Sequence, residues 1–180
     1  MTRSFHFAPL LGAALFVLAG CQSAGQPGTA TPGKPTPEQV AATLAFIDTA
    51  GTSGVKEVAF ARLAETKTVD PAVRSFAEKM IADLGPVNQQ LAALAQSKGA
   101  APPTDIDGPH QVVYQHLQSL RGPAFDRAYV DGELQDLTVT TLAFQSEADT
   151  GTDPEVRGFA KQYLPMMLEH VRLSHAIFGG

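Results

Sequence analysis

The chain has 180 residues, with 13 Lys and Arg against 18 Asp and Glu, enough for one modest globular domain with extra chain attached and too little for two independent ones. Only 17% of residues are charged, 44% are apolar and 7% aromatic, with no Trp, a balance that favours helices packed through small side chains over a strand-rich sandwich. The net charge of -5, with no run of basic residues, argues against nucleic acid as a partner, and a single Cys excludes an internal disulfide or a Cys-rich zinc site.

Residues 1–20 read as an export signal. Met1 to Ser4 carries one Arg and no acid, Phe7 to Leu18 is apolar apart from Pro and Gly, and Ala19-Gly20 then precedes Cys21. The apolar run, about 12 residues, is shorter than the ~20 that a helix needs to cross a bilayer, so the expectation is a cleaved signal peptide. Leu18-Ala19-Gly20-Cys21 resembles the bacterial lipobox, in which the chain is cut before a lipid-modified Cys. The only Cys stands at the one place where lipidation requires it, so a covalent lipid on Cys21, and no other cofactor, is expected to hold the protein to a membrane.

The stretch 21–36 continues as QSAGQPGTATPGKPT after the Cys, with no large apolar residue, and is expected to be a disordered tether. Gln22 follows the Cys, where Asp would resemble an inner-membrane retention signal. The expected address is therefore the periplasmic side of the cell envelope, the outer membrane favoured over the inner.

The remainder, 37–178, reads as helices. Thr36-Pro37-Glu38-Gln39 combines a capping Thr, a Pro at the first helical position and a Gln at the capping-box position. Val40, Leu44 and Ile47 recur at helical spacing, Gly51 and Gly54 interrupt them, and Val55 and Val58 resume, so a helix to about Thr68 with a kink or break near Gly51 is expected. Asp70-Pro71 opens a second helix ending at Gly99, with Gly85-Pro86 expected to kink it. A break from Ala100 to Gly108 leads to a short helix from Pro109 to about Leu120. Gly122-Pro123 precedes a third long helix to roughly Asp149, and Asp153-Pro154 caps a fourth to about Phe178, bent at Pro165. Four long amphipathic helices with a short accessory one on the crossover match an all-α, antiparallel four-helix bundle.

An internal repeat supports this. Asp70-Pro71-Ala72-Val73-Arg74-Ser75-Phe76-Ala77 and Asp153-Pro154-Glu155-Val156-Arg157-Gly158-Phe159-Ala160 agree at six of eight positions, as a duplicated helical hairpin would. Phe76 and Phe159, equivalent under the repeat, are expected in the core.

Ala50, Glu57-Val58, Leu63-Ala64, Val73, Phe76-Ala77, Met80-Ile81-Ala82-Asp83, Gly122 to Val130 with its Phe125-Asp126-x-x-Tyr129, Glu147-Ala148, and Leu164-Pro165 with His170 together resemble the bacterial family called domain of unknown function 4142. The resemblance covers about Pro37 to Phe178 and implies an exported protein with a ferritin-like four-helix fold. Similar sequences usually carry a His after the Asp of the second helix and another some eight residues past the Tyr; here those positions are Leu84 and Leu137. A ferritin-like metal centre needs carboxylates from two helices and Glu-x-x-His pairs from the other two, and no Glu-x-x-His occurs in this chain.

The weak metal-ligand candidates are therefore Glu57, Asp83, Glu133 and His170, with Tyr129 facing the same way as Glu133. Either several converge in the core, or the three acids lie on solvated faces. With two imidazoles replaced by leucines, no metal is expected. His110, His116 and His175 read as surface or boundary residues, and neither a nucleophile elbow nor a phosphate-binding Gly loop occurs, so no catalytic residues are expected. The expected function is a non-enzymatic binding or structural module, anchored by lipid, that engages an envelope protein or a small apolar ligand. The alternative is a degenerate ferritin-like metal protein in storage, oxidation or stress defence.

Overall fold

Prolines and their caps set where the helices start. The computed structural model describes residues 33–178; the expected signal at 1–20, the lipidation site Cys21 and the tether up to residue 32 lie outside the described residues. Thr36 Oγ1 accepts from the Gln39 amide while the Gln39 side chain accepts from the Thr36 amide at 2.8 Å, the reciprocal capping box expected for α1, Pro37–Lys67. Asp70 caps α2, Pro71–Ser97, through the Ala72 and Val73 amides. Asp107 caps α3, Gly108–Ser119, through the His110 amide. Next come α4, Pro123–Thr150, entered from Gly122 at φ 55, and α5, Pro154–Phe178, capped by Asp153. A positive φ at Gly122 would strain any residue with a Cβ. The described residues are all-helical, with no strand among them, and none of their helices is long and apolar enough to cross a membrane.

The break weighed for the first helix near Gly51 is not found. α1 runs unbroken through Gly51 and Gly54. These glycines serve packing: a Cβ on Gly51 would lie 2.9 Å from Pro103 Cδ, and one on Gly54 would lie 2.1 Å from Asn88 Oδ1. Asn88 instead donates to the Gly54 carbonyl at 2.8 Å, so α2 lies directly on the α1 backbone. α2 runs through Gly85-Pro86 to Ser97, Pro86 lying inside the helix at the cost of the one amide bond it cannot make. Val40, placed inward by spacing, is exposed, and Thr43, Phe46 and Ile47 take the inner positions.

The long helices pack in the pairs α1 with α2, α4 with α5, α1 with α4 and α2 with α5. Contacts fix their directions. Phe46 meets Phe144, Ser53 meets Thr140, and the Val69 amide after α1 donates to Asp126, so α1 and α4 are antiparallel. Asp83 meets His170, Gln90 meets Tyr163, and Lys98 meets Asp153 and Glu155, so α2 and α5 are antiparallel too. α3 contacts α1 and α4, and Leu117 is its one buried apolar anchor among the described residues.

The repeat is repeated in three dimensions. Val73 and Val156, Phe76 and Phe159, and Ala77 and Ala160 are all buried. Arg74 donates to the carbonyl of Thr68 at 2.9 Å and Arg157 to that of Gly151 at 3.2 Å, each reaching six residues back to the end of the preceding helix. Phe125-Asp126-x-x-Tyr129 also has a visible task. Phe125 and Tyr129 are buried and stacked at 6.0 Å, with Phe76 tilted against Tyr129, while Asp126 accepts from the α1–α2 connection. The motif seats the start of α4 beneath the first hairpin.

Candidate functional site: a buried charged cluster between α1 and α4

On α4, Asp126, Val130, Glu133, Leu137, Thr140 and Phe144 follow one another at intervals of three and four residues and are all buried. That spacing presents one face to the core, and it carries Glu133 inside between Val130 and Leu137. On α1, Ser53, Lys56, Glu57 and Phe60 face this stretch. Lys56, Glu57, Glu133 and Tyr129 are each 1% exposed. The alternative that Glu57 and Glu133 lie on solvated faces is thereby overturned.

Lys56 organises the group. Its Nζ lies 2.5 Å from Asp136 Oδ2 and 4.0 Å from Glu57 Oε1, and 5.6 Å from the centroid of the Phe60 ring. Ser53 Oγ donates to Glu57 Oε1 at 2.7 Å and lies 2.8 Å from Thr140 Oγ1. Glu57 Oε2, both carboxyl oxygens of Glu133 and the Tyr129 hydroxyl have no hydrogen-bond partner.

Burial penalises every charge here, and neighbours decide which survive. Burial works against the Lys56 ammonium, but the charges of Glu133, Glu57 and Asp136 outweigh it and hold the group above the usual lysine range. Burial raises the Glu57 carboxyl despite Lys56 and the Ser53 hydrogen bond. Burial pushes Glu133 up to about 8 against the pull of Lys56, with the charges of Glu57 and Asp136 adding to the rise. Tyr129 is driven well above its ordinary value by burial and then by Glu133 and Glu57. At neutral pH Lys56 is thus charged, Asp136 is its close partner at 38% side-chain exposure, and Glu133 holds its proton.

The other candidates form a separate pair. His170, fully buried, places Nε2 2.8 Å from Asp83 Oδ2, which also takes an ion pair from Lys79 at 2.8 Å. Burial lowers the His170 pKa against the opposing hydrogen bond and charge of Asp83, and its Nδ1 has no partner. Asp83, although burial opposes it, is held below the usual carboxylate range by its bonds to Lys79 and His170. Leu84 and Leu137, at the positions where similar sequences carry His, are buried. Leu84, Met167 and Glu57 share a cavity of only about 10 Å³, about the space of one water.

The alternative that Glu57, Asp83, Glu133, Tyr129 and His170 converge on one point does not hold either. Glu57, Glu133 and Tyr129 gather around Lys56, and Asp83 joins His170 across α2 and α5. No three of the His, Cys, Asp and Glu side chains among the described residues come together as a metal ion requires. The charge also disagrees with a metal: the position between the acids already holds the Lys56 ammonium. The donor set does not fit a ferritin-like centre. Lys56 and Asp136 were missed by the sequence reading; Lys56 adjoins Glu57 in sequence, and adjacent residues point about 100° apart, so one inward stripe does not reveal both. His110 lies at the start of α3, its Nδ1 2.6 Å from Asp107, while His116 and His175 are exposed.

A groove of about 310 Å³ adjoins this cluster, lined by Ser53, Lys56, Asp136 and Thr140 together with Asp107 and His110. Compared with known families, residues 27–177 match the one described as Domain of unknown function (DUF4142). No curated protein and no solved structure matches the chain.

Proposed function

The chain belongs to the DUF4142 family, and from that premise we propose that it is a lipid-anchored, non-enzymatic module of the cell envelope, built as a ferritin-like four-helix bundle whose centre is held by an internal salt cluster in place of a metal. The observation that carries this reading is Lys56, 1% exposed, charged and set among Glu57, Glu133 and Asp136. A cation that belongs to the chain leaves the acids no net charge to offer an ion.

The ferritin-like arrangement is supported by the pairing of the helices. The α1–α2 and α4–α5 hairpins meet with α1 antiparallel to α4 and α2 antiparallel to α5, which requires a long crossover between α2 and α4, where α3 lies. The lipid anchor is supported by Leu18-Ala19-Gly20-Cys21. Exposed Val112 on α3 and Val139 and Leu142 on α4 support an outward face for an envelope protein or small apolar ligand. The second reading, a degenerate metal protein, draws on the unpartnered oxygens of Glu57 and Glu133.

Mass spectrometry of the mature protein from its native envelope, with membrane fractionation of Cys21→Ser, tests the anchor. The expected result is an acylated N-terminal Cys21, and loss from the membrane fraction or an uncleaved precursor in the variant. An unmodified Cys21 inside an intact mature chain would overturn it.

A further inference from the structure

The unused feature of the core is the match between the Lys56 head group and what surrounds it. An ammonium offers three N–H donors and no acceptor. Around Nζ stand two carboxyl groups, Asp136 at 2.5 Å, to which it donates, and Glu57 at 4.0 Å. On a further side is the ring of Phe60, 5.6 Å from Nζ to its centroid, inside the distance at which an aromatic face attracts a cation. A divalent metal would need converging oxygens at short distances, which these residues do not supply. Directional acceptors around an aromatic wall are instead the recognition chemistry of an alkylammonium ion. Lys56, Asp136, Ser53 and Thr140 line the adjoining groove, so a small amine has a path to this position from solvent.

We propose that Asp136, Glu57 and Phe60 form an alkylammonium-binding site, which Lys56 fills from within the chain. This deepens the reading of a metal-free core and rests on it. The site has a stated ligand class, a primary amine on a short unbranched chain, and n-propylammonium is the part of lysine that Lys56→Ala removes.

The test is chemical rescue. In the Lys56→Ala protein, n-propylammonium should raise the melting temperature with the logarithm of its concentration above Kd, by about 4 °C at ten times its Kd, while the wild type should not respond. Propanol, of the same shape without the charge, should give a much smaller effect, and adding Asp136→Asn to the variant should weaken the rescue. Equal rescue by propanol would mean a mere cavity and would overturn the proposal. Preferential stabilisation of the variant by Mn²⁺ would overturn it in favour of a metal site. Stoichiometric metal in the unaltered protein would instead defeat the metal-free reading on which it rests. Should Lys56→Ala fail to fold even with the amine, the wild type decides: nitrogen NMR should detect a slowly exchanging Lys56 ammonium at neutral pH, and a neutral or freely exchanging amine there would refute the site.

Discussion

Burial and the charge of Lys56 pull Glu133 in opposite directions, and their balance makes stability depend on pH. An unfolded chain releases the proton of Glu133 near the ordinary glutamate value, about 4.3, whereas the folded chain holds it up to about 8. Between those values the folded state binds more protons, so stability falls as pH rises across that window. Glu57, raised by burial, acts in the same direction. His170 opposes it at lower pH: with its folded pKa below the usual 6.5, its contribution rises as pH climbs toward that value. Denaturant midpoints should therefore fall from pH 6.5 to pH 8.5, and Glu133→Gln should flatten that slope. A wild-type midpoint that rose over this range would show that Glu133 is ionised in the fold. The sequence left Glu133 open between core and surface, because an acid between the apolar Val130 and Leu137 can be read either way until its partners are known. The inward position of Lys56 was not legible, because α1 is buried on a wider arc than one stripe, with Lys56 and Glu57 both inside.

At the scale of the helices, the caps and the repeat were readable because their causes are local: a carboxylate or hydroxyl beside the first free amides, then a Pro. Phe76 and Phe159 are buried at equivalent positions, the first against Tyr129, the second between Phe144 and Tyr163. Each Phe→Ala change should cost about 3 to 5 kcal/mol through lost burial and a cavity; a loss under ~0.5 kcal/mol in either, by chemical denaturation, would contradict its core placement. The glycines of α1 were misread because their reason is non-local. Helix propensity alone favours Gly54→Ala by up to ~1 kcal/mol, yet the new Cβ would meet Asn88 Oδ1 at 2.1 Å and displace its bond to the Gly54 carbonyl. Gly54→Ala should therefore destabilise, while Gly132→Ala on α4, with nothing within 4 Å of the added carbon, should stabilise by about 0.5 to 1 kcal/mol. The opposite order of melting temperatures would refute the close approach of α1 and α2.

For the molecule as a whole, the candidate ligands come from all four long helices, but the fold sorts them into two pairings. Glu57 and Glu133 meet across α1 and α4 with a lysine between acids, and Asp83 and His170 meet across α2 and α5. Leu84 and Leu137 are buried where imidazoles would have joined them. The missing ligands could be read from the sequence, but the internal cation could not, since its partner Asp136 lies 80 residues away. The central claim is that this cation replaces a metal. Its most direct test is metal content per chain, by mass spectrometry of the elements, after residues 22–180 are incubated with Fe²⁺, Mn²⁺ and Zn²⁺ and desalted. The account expects far less than one ion per chain and no rise in melting temperature beyond that of weak surface binding. One tightly held ion per chain, lost on Glu57→Gln or Glu133→Gln, would contradict it.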